Sequence, residues 1–88
     1  MKVAYSKKFL KQLASIPTET RTKIEQFAFD ELVTVSNISQ IGKIEKMQGY
    51  DGFYKIRFGH YRLGLQLENG TVILKTVMHR KEIYKFFP

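Results

Sequence analysis

The chain contains no cysteine among its 88 residues, so neither disulfides nor thiolate-bound zinc can brace the fold. That absence suits a reducing cytoplasm. No apolar run approaches the roughly 18 residues that a membrane-spanning helix needs. The opening Met-Lys-Val-Ala-Tyr-Ser-Lys-Lys also lacks the apolar segment of a signal peptide. A cytoplasmic location with no membrane association is therefore expected. Spacing flags no glycine-rich phosphate loop, no Cys/His cluster and no Ser-His-Asp arrangement, so neither a cofactor nor a metal site is indicated. Acids are scarce too: eight Asp and Glu stand against fifteen Lys and Arg, for a net charge of +7.

A chain this short buries only about 60–65% of its unfolded surface, which allows one domain, residues 1–88, and one core. Its positive charge has two readings: a solvated surface that aids solubility, or contact with nucleic acid, the ribosome or an acidic protein. Placement favours contact. From Phe53 to Lys85 the cations Lys55, Arg57, Arg62, Lys75, Arg80, Lys81 and Lys85 meet only Glu68 and Glu82, an excess of five positive charges.

Period and turn chemistry divide the chain. Lys2 to Tyr5 alternates polar and apolar residues as a short strand does. Ser6 offers an N-cap, and Phe9, Leu10, Leu13 and Ala14 form one helical stripe ending near Ile16. Pro17 suits the first turn of a second helix, from Thr18 to about Val35, whose apolar face is Ile24, Phe27, Ala28 and Leu32. Ser36 to Gly52 shows no clean period and reads as a connection with one short helical turn, closing on the turn signal Tyr50-Asp51-Gly52.

From Phe53 the period becomes two. Tyr54, Ile56 and Phe58 point one way, and Lys55 and Arg57 the other. Gly59-His60 suits a type II′ turn and Asn69-Gly70 is a strong hairpin signal. Between them Tyr61, Leu63, Leu65 and Leu67 oppose Arg62, Gly64 and Gln66. In the last strand Val72, Leu74, Thr76 and Met78 oppose Ile73, Lys75, Val77 and His79. Arg80 to Phe87 forms a short helix stopped by Pro88. The predicted architecture is α+β: an N-terminal strand, a helical hairpin, a three-stranded antiparallel meander and a short C-terminal helix. The two long helices cover the apolar side, and the N-terminal strand joins the sheet. The other side then presents Lys55, Arg57, Arg62, Gln66, Lys75 and His79 to solvent.

Strand parity groups Lys55, Arg57 and Arg62, while Arg80 and Tyr84 are four apart on one helical face. Exposed strand cations often just protect edges, and Tyr84 and Phe86 could simply pack the tail. Four cations converging with few acids is better explained by a polyanion partner. His60 and His79 fall in separate segments, so spacing does not support a two-histidine ribonuclease pair.

The segments Phe53-Tyr54-Lys55-Ile56-Arg57-Phe58-Gly59-His60-Tyr61-Arg62 and Val77-Met78-His79-Arg80-Lys81-Glu82-Ile83-Tyr84 resemble the RelE/ParE toxin superfamily, the toxic partners of bacterial toxin–antitoxin pairs. The resemblance extends over nearly the whole chain. It implies a RelE-like fold and one of two activities: RelE-like members are ribosome-dependent endoribonucleases that cut messenger RNA in the A site, and ParE-like members poison DNA gyrase. The RelE active positions, carried over, fall on Lys55, Arg57, Arg62, Arg80 and Tyr84; Arg57 departs from the pattern, which has lysine there. His79 is a further candidate, because some RelE-like relatives use a C-terminal histidine as the acid. A cognate antitoxin is the implied protein partner, through an acidic or amphipathic segment.

Metal-independent cleavage through the RNA 2′-hydroxyl needs a base, charge stabilisation and an acid. Arginine is too basic to act as the base, whereas a lysine among other cations can. The expected roles are Lys55 as base, Arg57 and Arg62 as phosphate clamps, Arg80 or His79 at the leaving group, and Tyr84 stacked on a substrate base.

Overall fold

The computed structural model describes residues 1–88. Strand β1 (Lys2–Tyr5) leads directly into helix α1 (Lys7–Leu13). Ser6 makes the junction: its hydroxyl accepts the Phe9 N–H at 2.9 Å and donates to the Lys75 carbonyl at 2.8 Å, capping the helix and tying it to a distant strand. Helix α2 (Thr18–Glu25) starts after Pro17, then widens into a π-helical stretch (Gln26–Glu31) and closes in a 3₁₀ turn (Leu32–Thr34). The expected face of Ile24, Phe27, Ala28 and Leu32 is buried throughout. No helix is long and apolar enough to cross a membrane.

The sheet has five strands in the order β1-β5-β4-β3-β2, adding β2 (Ile44–Lys46), β3 (Phe53–Phe58), β4 (Tyr61–Glu68) and β5 (Thr71–His79). β1 joins the edge of β5 in parallel, and all other pairs are antiparallel. The two hairpins turn where expected. Gly59 adopts φ +60 between the paired Phe58 and Tyr61, and Asn69 and Gly70 both take positive φ between Glu68 and Thr71.

Ser36 to Gly52 is not wholly a connection. Its short helical turn is Ile38–Gln40, but Ile44–Lys46 is a strand, pairing Glu45 with Lys55 and Lys46 with Tyr54. Three residues of mixed charge carry no period of their own; the edge of β3 makes them a strand.

On one side, Leu63, Leu65, Val72, Leu74 and Ile56 pack with Phe9, Leu13, Ile24, Phe27 and Leu32 in a cluster of 14 buried residues. Each fully buried side chain of this kind contributes about 1.5–3 kcal/mol. The parity of β5 departs from the alternation. Leu65 pairs with Leu74 but Gly64 pairs with Thr76, which leaves Lys75 as the extra residue of a β-bulge. Beyond it every face assignment reverses: Val77 enters the helix-side core and Met78 turns to the opposite side. Past Leu74, where β1 ends, Gln12 finishes the strand edge. Its side-chain Oε1 accepts the Thr76 hydroxyl at 2.6 Å and the Val77 N–H at 3.1 Å.

The second side is not open to solvent along its length. Helix α3 (Arg80–Phe86) lies on it, burying Ile83 and Phe87 with Met47 and Met78. Gly64 makes this possible, since a Cβ there would come within 2.8–2.9 Å of the Phe87 ring. The expectation of a wholly exposed face of Lys55, Arg57, Arg62, Gln66, Lys75 and His79 is corrected accordingly.

Candidate nucleic-acid groove

Helix α3 begins beside the first hairpin, where the Arg80 N–H donates to the His60 carbonyl at 2.8 Å. It then runs back across the sheet until the Phe87 ring meets Phe53 edge-on, with centroids 5.7 Å apart. With Ile83 and Phe87 buried, the adjacent Tyr84 is left 67% exposed, on the helical face shared with Arg80.

Lys55 sits in the middle of β3, between Glu45 on one side and Gly64 on the other. Its side chain is only 13% exposed, and its ammonium donates to the Tyr84 hydroxyl, lying 4.3 Å from that ring's centroid. The nearest carboxylate, Glu45, is 4.0 Å away and mostly in solvent. An ammonium has three donors, and with one hydroxyl bonded and one carboxylate at 4.0 Å this one can still donate to an incoming phosphate oxygen. Lys55 and Tyr84 line a groove of about 870 Å³, bounded by residues 45–50 and by Lys85, Phe87 and Pro88.

Arg57 and Arg62 pair across the hairpin, facing the same side as Lys55. Like charges directly opposite one another repel. Arg62 relieves this by turning to the hairpin carbonyls, donating to Gly59 at 2.9 Å and Tyr61 at 3.1 Å, while Arg57 stays exposed. The fold thus gathers five of the six expected residues on one side: Lys55, Arg57 and Arg62 from the sheet, Arg80 and Tyr84 from α3.

His79 is the exception. After the bulge it pairs with Tyr61, on the helix-side face, with their rings 5.6 Å apart edge-on. It also stacks on His60 at 6.2 Å, so the two histidines meet, but away from Lys55. Its Nδ1 accepts the Lys81 N–H, which makes it the N-cap of α3. The expectation that His79 shares the face of Lys55 is corrected, because the extra residue at Lys75 reverses its direction.

Sequence reasoning missed Lys46, Tyr50 and Lys85 as groove residues. Tyr50-Asp51-Gly52 was legible as a turn, but only the pairing of β2 with β3 swings that turn beside the groove.

Residues 3–84 match the family model described as the ParE toxin of type II toxin–antitoxin systems. Over 89 aligned residues, all of both chains, the protein is 36% identical to toxin RelE3 of Methanocaldococcus jannaschii. It superposes with a TM-score of 0.82 on the RelB–RelE antitoxin–toxin complex from Methanococcus jannaschii, at 33% identity over 97% of this chain and 99% of the other. The isolated Escherichia coli RelE toxin shares the fold at a TM-score of 0.67 and 23% identity, covering 96% and 90% of the two chains. With the family model matched over residues 3–84 and a relative 36% identical over its whole length, the chain belongs to the RelE/ParE toxin superfamily, as a RelE-type toxin of a toxin–antitoxin system.

Proposed function

We propose that residues 1–88 act as one cytoplasmic toxin domain that cuts messenger RNA in the ribosomal A site and is silenced by a cognate antitoxin. The observation that carries this reading is the mostly covered Lys55 side chain, its ammonium bonded to the Tyr84 hydroxyl in a groove on the face of Arg57, Arg62 and Arg80. The presence of RelB with RelE in the Methanococcus jannaschii complex supports an antitoxin partner.

The chemistry follows from the residues. Lys55, in its amine form, takes the proton from a ribose 2′-hydroxyl. The 2′ oxygen attacks the adjacent phosphorus, the bond to the 5′ oxygen breaks, and a 2′,3′-cyclic phosphate remains. Arg57 and Arg62 hold the non-bridging oxygens as negative charge grows on them. Arg80 donates a hydrogen bond to the departing 5′ oxygen while a water protonates it. Tyr84 stacks on a base beside the scissile phosphate and fixes the Lys55 nitrogen. No cofactor is required, and His79 enters this scheme only as the cap that sets the first turn of α3.

The test is induction of the protein with and without Lys55→Ala or Arg80→Ala, mapping message ends on stalled ribosomes. Each variant should cut about 10²–10⁴-fold more slowly while keeping its circular dichroism. Full cutting by Arg80→Ala would sink the mechanism. Intact messages with DNA-damage signalling and filamentation would instead place the protein with the gyrase poisons.

A further inference from the structure

We propose that Tyr50 is a second base-stacking residue, so that the groove takes two consecutive nucleotides of single-stranded RNA rather than one. This rests on the ribonuclease reading above and extends it to the substrate's neighbouring base.

The chain has five tyrosines. Tyr5, Tyr54 and Tyr61 pack against the main core. The remaining two, Tyr50 and Tyr84, are 53% and 67% exposed, and both line the groove. They come from different walls, Tyr50 from the loop after β2 and Tyr84 from α3. Lys46, Lys55 and Lys85 share that lining with a single acid, Glu45. Exposed aromatic rings among cations are the pattern by which proteins hold single-stranded nucleic acid, each ring taking a base and the cations tracking the phosphates.

Tyr50 is also held in place. It stands where two tight turns meet: its N–H donates to the Met47 carbonyl at 3.1 Å, and its carbonyl accepts the Phe53 N–H at 3.4 Å. Gly49 and Gly52 supply the positive φ angles, +85 and +82, that those turns need. The Met47 side chain is buried beneath α3, the Met47 N–H donates to Phe53 at 2.8 Å, and Lys46 pairs with Asp51 at 3.0 Å. On the far side the Gly52 carbonyl accepts the Leu67 N–H at 2.7 Å. A ring presented by a loop anchored at this many points loses little conformational freedom on binding, which is what a stacking platform requires.

The test uses Tyr50→Trp in the full chain, which has no other tryptophan, and a 2′-O-methyl hexanucleotide that cannot be cut. Tryptophan emission should be quenched saturably on titration. Tyr50→Ala should bind the same oligonucleotide roughly 5- to 150-fold more weakly and cut ribosome-bound messages correspondingly more slowly, with Tyr50→Phe matching the parent. Unchanged emission at saturation, judged by anisotropy of a labelled oligonucleotide, would overturn the proposal. So would undetectable binding by the parent protein, or Tyr50→Ala binding and cutting like the parent. A Tyr50→Ala variant impaired only in holding the antitoxin would overturn it in favour of a protein contact. Quenching by the oligonucleotide without message cutting by the parent would support the stacking site while removing the ribonuclease reading. Normal cutting by both the parent and Tyr50→Ala would do the opposite.

Discussion

The two faces of the sheet do different work. The helix side joins 14 buried residues from the two helical segments, three central strands and the loop positions Ile16 and Ile41, while the α3 side joins four around Gly64. Most of the apolar burial, and with it most of the folding free energy, therefore lies on the side away from the groove. The α3 side holds together just enough to seat a short helix. Its thin apolar layer leaves room for Lys55, Arg57, Arg62 and Arg80 to share one surface, which a deeper core could not accommodate without burying unpaired charge. A marginal layer also opens more readily than the rest of the fold, and it is the layer that presents Tyr84.

This contrast can be broken or sharpened by substitution. Phe9→Ala, on the helix side, should cost about 3–5 kcal/mol of stability by urea denaturation, because it empties a fully buried site. A loss confined to RNA cutting would contradict the division of labour. Gly64→Val should cost about 1–3 kcal/mol by overpacking against the Phe87 ring. Its sharper signature is amide exchange that speeds up in α3 while strands β4 and β5 stay protected, together with loss of cutting. Gln12→Ala removes the acceptor of the Thr76 hydroxyl, which is 2% exposed, and of the Val77 N–H. A cost of about 1–3 kcal/mol is expected from the stranded donors, with the groove intact.

The smallest effect is a pH dependence on the helix side. Burial first, and then the negative charge of Asp30, push the Tyr5 hydroxyl above its ordinary value of 10.0. Its folded pKa thus exceeds the unfolded one. The stability it contributes is complete below about pH 10 and fades as pH rises through the raised value. Ionisation would also forfeit the 2.7 Å bond to the Ala28 carbonyl. Tyr5→Phe should therefore flatten the alkaline end of the stability profile, as followed by thermal melts between pH 8 and roughly pH 11; an unchanged slope would dismiss the role given to Tyr5.

Much of this was legible beforehand. The alternation from Phe53 onwards, the glycine at Gly59 and the Asn69-Gly70 pair specify two hairpins through local backbone chemistry. Parity within β3 and β4 then puts Lys55, Arg57 and Arg62 on one face. The same rule failed for His79, because a bulge adds one residue at Lys75 and leaves no mark in composition. β2 was invisible because three residues of mixed charge are a strand only when an edge waits for them. Gly64 read as one more position on the polar side, yet its missing side chain is what admits Phe87.

By itself, then, the sequence determined every main element but β2, the two hairpin turns, and the excess of seven cations over two acids between Phe53 and Lys85. These are properties of neighbouring residues, set by steric preference and side-chain charge. Only the tertiary structure decided which side His79 faces, that α3 lies over the sheet, and that Lys55 meets Tyr84 from 29 residues away. Such contacts depend on register and packing between distant segments, and no local period records them.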